Sequence, residues 1–311
     1  MGTEALSLCM IVKNEERVLS RCLDSVRALV TEIIIVDTGS TDGTQGIAAG
    51  YGARVTPFNF EVVDFAGARN QALAAARNPW ILTLDADEIL DPASAPLVAE
   101  LVARGENAGY YFQRLNHRAN SERCTTDYVV RLFPNRPVHR YHGRVHETIG
   151  ASILRGGGRL APTTIRIHHD FAPDGEARRR RNFWYIEILK EEIAADPSDL
   201  SRLDFLAAEY HQLGMFDQAT EIAERIVRVR PRDPQAHLFA GTYHLLYQHD
   251  RERARADFLE ALRLCPGYTK AQSFLQLLAE QERATSASGQ RDTQRSSGLG
   301  GHKSQLMQQR G

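Results

Sequence analysis

The chain has 311 residues, enough for two domains and a sizeable core. With 42% hydrophobic and 25% charged residues it has the composition of a soluble globular protein. A formal net charge of -1 leaves no overall field to favour nucleic acid or an anionic membrane. Cys9, Cys22, Cys124 and Cys265 lie far apart, with no Cys-x-x-Cys or metal-ligand spacing, which points to reduced thiols in a cytoplasmic protein.

Ala5 to Val12 is a near-continuous apolar run, the pattern of a strand buried on both faces of a parallel sheet. It is too short for a membrane span and has no basic flank, so neither a span nor a signal peptide is expected. Asn14 is placed to cap a helix whose apolar stripe is Val18, Leu19, Cys22, Leu23, Val26 and Leu29. A second buried strand, Glu32 to Val36, stops at Asp37. The loop Thr38 to Thr44 follows, with Gly39 and Gly43 free to take positive φ and Ser40, Thr41 and Thr44 able to donate hydrogen bonds. It matches neither the P-loop nor the G-x-G-x-x-G pattern. A short strand at Arg54 to Pro57 and an alanine-rich helix from about Ala66 to Arg77 come next. Strand and helix alternate, which predicts a three-layer parallel α/β sheet with ligand at the carboxyl ends of the strands.

The fourth strand, Trp80 to Leu84, runs straight into Asp85, Ala86, Asp87 and Glu88. With the backbone extended through Ala86, Asp85 and Asp87 project to the same side and repel unless a cation lies beside them. Carboxylate oxygens of this kind suit Mg2+ or Mn2+. The plainer alternative is a polar turn, with Glu88 and Asp91 opening a helix near Pro92. Three polar clusters, at Lys13-Asn14-Glu15, Asp37 and Asp85/Asp87, fall on one rim of the expected sheet, which favours the cation.

Ile11 to Glu15, Val36 to Thr44, Ala68-Arg69-Asn70 and Asp85 to Glu88 together resemble, in order, the landmarks of family 2 glycosyltransferases with the GT-A fold. The resemblance covers roughly the first 150 residues. It implies that Asp37 contacts the base of a nucleoside-diphosphate sugar, often uracil. Asp85 would lie near the ribose, and Asp87 would bind the metal that bridges the diphosphate, with Asp85 its neighbour at the ion. Arg69, Asn14 and Glu15 are expected on the same donor side.

After Gly105 the pattern changes to mixed strands at Gly109 to Gln113, Tyr128 to Phe133 and Thr164 to His168, the half that builds the acceptor side in a GT-A arrangement. Gly143 to Glu147, Ile165 to Asp170 and Arg131-Leu132-Phe133 resemble elements of the subgroup that includes lipopolysaccharide-core glucosyltransferases and peptide S-glycosyltransferases. Inverting transfer needs a general base for the acceptor, and Glu147 beside His146 is the expected one. His169, or His168, is expected to complete the metal shell, against the alternative of a strand-end histidine satisfied by backbone.

From Ala177 the sequence turns helical. Arg178 to Arg181 begin a helix as a solvated basic face or as a contact for an anionic acceptor, with Phe183 and Trp184 following. Prolines recur at Pro197, Pro231 and Pro266, the period of tetratricopeptide helix pairs. Leu203, Leu206, Ala207, Tyr210, Ala219 and Ala223 fit one repeat, and Ala240, Tyr243, Ala254, Phe258 and Ala261 the next. The array is expected to bind a peptide, to dimerise or to brace the catalytic domain. Residues 284–311, rich in Ser, Gly, Gln and Arg, are expected to be disordered.

The sequence therefore predicts a GT-A domain over 1–176 and tetratricopeptide-like helices over 177–283. The expected activity is metal-dependent inverting transfer from a nucleoside-diphosphate sugar, UDP-linked by resemblance, to a peptide, protein or glycan. A sugar nucleotidylyltransferase is the alternative enzyme, disfavoured because Lys13 to Glu16 lack glycines and positive charge. A peptide-binding scaffold with an inactive sheet is the alternative from another class, disfavoured by Asp37, Asp85 and Asp87 occurring together.

Overall fold

The computed structural model describes residues 5–106, 108–118, 124–171, 175–197, 199–281 and 283, and the segment expected to be disordered, 284–311, lies outside them. The chain divides into two compact units after Arg181.

The first unit is built on an eight-stranded mixed sheet of order β3-β2-β1-β4-β7-β6-β8-β5. Its parallel half comprises β1 (Leu6–Val12), β2 (Glu32–Asp37), β3 (Arg54–Pro57) and β4 (Trp80–Thr83). Alternation along β1 sends Leu6, Leu8, Met10 and Val12 to one face, against α1 (Leu19–Val26) through Leu19, Cys22, Leu23 and Val26. Cys9 faces the other way, with Ile34, Val36 and Ile81, against Ala68, Ala72 and Leu73 of α3 (Phe65–Ala75). With both faces covered, these strands read as continuous apolar runs. Each fully buried Leu or Ile stabilises the layer by roughly 1.5–3 kcal/mol.

The other half holds β5 (Glu88–Leu90), β6 (Ala108–Arg118), β7 (Thr125–Pro134) and β8 (Arg159–Phe171). β7 runs antiparallel to β4, with Leu132 opposite Leu82. β5 runs antiparallel to β8, with Glu88 opposite His169, while β6 lies parallel to β8, with Asn116 opposite His169. These registers bring Asp87, Glu88, Arg131 and His169 toward the rim where β1, β2 and β4 end.

Two local expectations are corrected, and the plainer alternative at the acidic stretch holds in part. The backbone does not stay extended through Ala86: it turns, with the Glu88 N–H donating to the Asp85 carbonyl at 3.0 Å. Of the plainer alternative, the polar turn and Asp91 hold, Asp91 capping the short 3-10 helix Pro92–Ser94 through the Ala93 N–H, whereas Glu88 opens no helix because it pairs into β5. Asn14 does not cap α1, whose N-cap is Val18; it takes φ +59, and its side chain reaches the loop after β2 instead.

The described helices that complete the first unit are α2 (Thr44–Gly50), α4 (Ala95–Arg104) and α5 (Gly150–Arg155). Helix α6 (Gly175–Ala195) begins with Arg178 to Arg181 exposed and continues into the second unit, where Ile186, Ile188, Leu189 and Ile193 are buried.

The second unit contains two helix pairs, α7 (Ser201–Gln212) with α8 (Phe216–Val229) and α9 (Pro234–Leu246) with α10 (Arg251–Leu264), then a helix over 269–281. The small and aromatic residues expected at the repeat positions, from Leu203 and Tyr210 to Phe258 and Ala261, are buried. Pro231 and Pro266 follow the ends of α8 and α10, where a proline stops a helix from continuing. Buried His244 lies between the carboxylates of Asp257 at 2.9 Å and Glu224 at 3.2 Å, tying α9 to α10 and α8. Among the described residues no helix is long and apolar enough to cross a membrane.

Candidate active site

The rim begins with two loops fastened to each other. The Asn14 amide oxygen accepts from the Thr41 N–H at 2.8 Å, the Asn14 N–H donates to Ser40 Oγ at 3.0 Å, and the Glu15 N–H donates to Thr44 Oγ1 at 2.7 Å. The left-handed backbone at Asn14 turns its carboxamide into this position, at a cost Asn bears better than most residues. Glu15 is held among acids: burial, and then Asp87, Asp42 and Asp85, push its carboxyl up to about 7.

Asp37, 2% exposed, accepts from the N–H groups of Gly39 at 2.9 Å and Ser40 at 2.7 Å, and from the Gln45 amide at 2.6 Å. Burial opposes its ionisation, but the Ser40, Gln45 and Gly39 donors outweigh it and hold the carboxyl below its ordinary value. Gly39 at φ +106 allows the turn that aims two amides at one oxygen.

Arg69 is the first residue of a charge network. Its Nε donates to Glu147 Oε1 at 2.6 Å and its Nη2 to Asp85 Oδ1 at 2.7 Å, with the guanidinium over the Tyr141 ring at 5.4 Å. Asp85 Oδ2 accepts from Arg131 Nη2 at 2.6 Å. Burial works against Asp85, but Arg131 and Arg69 hold it ionised well below the usual carboxylate range. Arg131 also donates to Glu88 Oε1 at 2.5 Å, and Glu88 Oε2 accepts the Asp85 N–H at 3.0 Å. The fold thus brings Arg69, Asp85 and Glu147 together, across 78 residues at the Arg69–Glu147 contact. His146, half-buried at φ +50, makes the left-handed turn that delivers Glu147.

A second group lies on the other side of the Asp85–Glu88 turn. Asp87 Oδ2 is 3.2 Å from His169 Nε2, and His169 Nδ1 is 2.7 Å from Asn116 Oδ1. Each ring nitrogen therefore faces an oxygen. Accordingly the Asp87 hydrogen bond raises His169 above its ordinary value, against burial. Asp87 and the Nε2 of His169 would be the groups to hold a divalent cation, and Asn116 fixes the ring through Nδ1, the usual outer support of a metal-bound histidine. Among the described residues no three His, Cys, Asp or Glu side chains close into a ready metal cage. One carboxylate and one imidazole suit an ion that takes its remaining ligands from water and phosphate oxygens. Asp85, expected as a neighbour of Asp87 at the ion, has each of its oxygens on an arginine. His168 points away from this group, to His117 at 2.9 Å and Asp91 at 3.5 Å. Sequence reasoning missed Arg114, Asn116 and the tasks of Arg131 and Glu88; the alternation Arg114, Asn116 along β6 was the available signal.

Residues 7–160 match the family model described as Glycosyl transferase family 2. A TPR repeat-containing protein of Synechococcus elongatus is 35% identical over 62% of this chain and 49% of its own length. The lipopolysaccharide core biosynthesis glycosyltransferase LpsC of Rhizobium meliloti is 38% identical over 32% of this chain and 38% of its own length. The chain thus spans about half, or less, of the length of these curated relatives. The crystal structure of S. aureus TarS 1-349 aligns over 90% of this chain and 92% of that one, at 15% identity and a TM-score of 0.42. On its sequence match and its mixed sheet, the N-terminal half of the chain is a family 2 glycosyltransferase domain of the GT-A type.

Proposed function

We propose that the chain is a metal-dependent inverting glycosyltransferase that moves a sugar from a nucleoside-diphosphate sugar, UDP-linked, to a nucleophile on a peptide, protein or glycan. The observation that carries this is the convergence of Asp87 and His169 at 3.2 Å beside the Asp85–Arg69–Glu147 network, on the rim where the parallel strands end. Asp87 and His169 are assigned to hold Mg2+ or Mn2+, which when bound would neutralise charge on the leaving diphosphate. Asp37 and the two fastened loops, with Asn14 and Glu15, are assigned to the nucleoside, and Asp85 to the ribose. Glu147 is the general base: Arg69 fixes its carboxylate in place, and it takes the acceptor's proton as the acceptor attacks the anomeric carbon. The relative named for lipopolysaccharide core biosynthesis supports a glycan acceptor, and the helix pairs of the second unit support a peptide or protein one.

The test is turnover of UDP-glucose and UDP-N-acetylglucosamine, with Mn2+ or excess chelator, by the wild-type and Asp87→Ala proteins. Loss of a metal ligand is expected to abolish transfer while circular dichroism stays unchanged. Full turnover in chelator, or in the variant, rules the metal assignment out.

A further inference from the structure

Glu88 has no task in the chemistry just described, yet it is fully buried, at 0% exposure, one residue from Asp87. We infer that Glu88, acting through Arg131, is a positioning residue that sets the orientation of Asp85 toward the donor. The inference rests on the assignment of Asp85 to the donor side.

The geometry gives Glu88 two holds on one neighbour. Oε2 accepts the backbone N–H of Asp85 at 3.0 Å, which fixes where the chain leaves β4. Oε1 accepts from Arg131 Nη2 at 2.5 Å, and that same nitrogen donates to Asp85 Oδ2 at 2.6 Å. Arg114 Nη1, 3.5 Å from Oε1, adds a second cation from β6, while its Nε and Nη2 hold Asp127 at 2.9 and 2.7 Å. Main chain and side chain of Asp85 are thus both referred to one carboxylate, with Arg69 on the remaining oxygen.

Stability alone is a poor account of this choice. Burying an acid and a guanidinium carries a desolvation penalty that an apolar pair of similar volume avoids, and Glu88 lies in a strand whose Leu90 is already fully buried. One nitrogen, Arg131 Nη2, donates to both Asp85 Oδ2 and Glu88 Oε1, so the place of one carboxylate sets the place of the other. The arrangement therefore favours orientation over packing.

The experiment separates positioning from structure. UDP affinity is measured by calorimetry, with and without Mn2+, together with KM and kcat for UDP-glucose and the urea unfolding midpoint. Glu88→Gln keeps the size of the side chain, and it is expected to weaken UDP binding at least tenfold and to raise KM with it. Glu88→Leu combined with Arg131→Met removes both buried charges, so it is expected to regain the unfolding midpoint that either change alone lowers, while UDP binding stays at least tenfold weaker. A double variant that binds UDP as tightly as wild type, or a Glu88→Gln protein with unchanged KM and kcat, overturns the positioning role alone. Wild-type protein that binds no UDP with Mn2+ or Mg2+ overturns the proposed function, and this inference with it.

Discussion

Arg69 touches Asp85 and Glu147 with separate nitrogens, so one side chain joins the carboxylate proposed for the donor side to the proposed general base. Glu147→Gln preserves shape but removes the proton acceptor, and kcat is expected to fall about 10^2 to 10^4-fold, read with saturating donor. Glu15 makes a different prediction. Its carboxyl, raised to about 7 by burial and neighbouring acids, binds more protons in the folded than in the unfolded chain between its ordinary value and 7. Stability conferred by the protonated form is complete at low pH and declines as pH rises across that window. Glu15→Gln is therefore expected to be more stable than wild type at pH 8, by about 1 kcal/mol once solvent screening of this half-buried group is allowed for, and equal to it near pH 4. Denaturant midpoints at the two pH values check this. Asp37, Asp85 and Asp87 were legible in the sequence because each ends or follows an apolar run. The paired state of Asp85 was not, since its cations come from positions 16 residues back and 46 residues on.

Among the elements, the parallel strands were the most legible, since burial on both faces writes them as unbroken apolar runs. β5 was missed because its first residue is an acid, which reads as a turn until its arginines are seen. β6 and β8 extend well past their predicted ends, where polar residues on the site face interrupt the apolar pattern. In the second unit the helix pairs were legible through proline spacing and small residues. Gly241 of α9 shows why small size is needed there: a Cβ would lie 2.8 Å from the Phe258 ring and 3.0 Å from Asp257 Cβ on α10. Gly241→Ala is expected to lower thermal stability despite the better helix propensity of alanine, by about 1–2 kcal/mol net of that gain, measured as a shift in Tm.

At the scale of the whole molecule, neither near-neutral charge nor composition distinguishes this chain from any other globular protein; its chemistry came from ordered landmarks and from the sheet that gathers them. That sheet has a consequence for biosynthesis. β4 and its acidic turn leave the ribosome long before β8, because His169 follows Asp87 by 82 residues. Strand order also places β5 at the far edge, next to β8, although it directly follows β4 in the chain. A nascent polypeptide halted before residue 159 thus carries the acids of the rim without the histidine, and with β5 lacking its neighbour strand. On the proposed assignment of Asp87 and His169, affinity for a divalent ion would be acquired late in translation, when the last strand docks, and premature termination would yield a product unable to load metal.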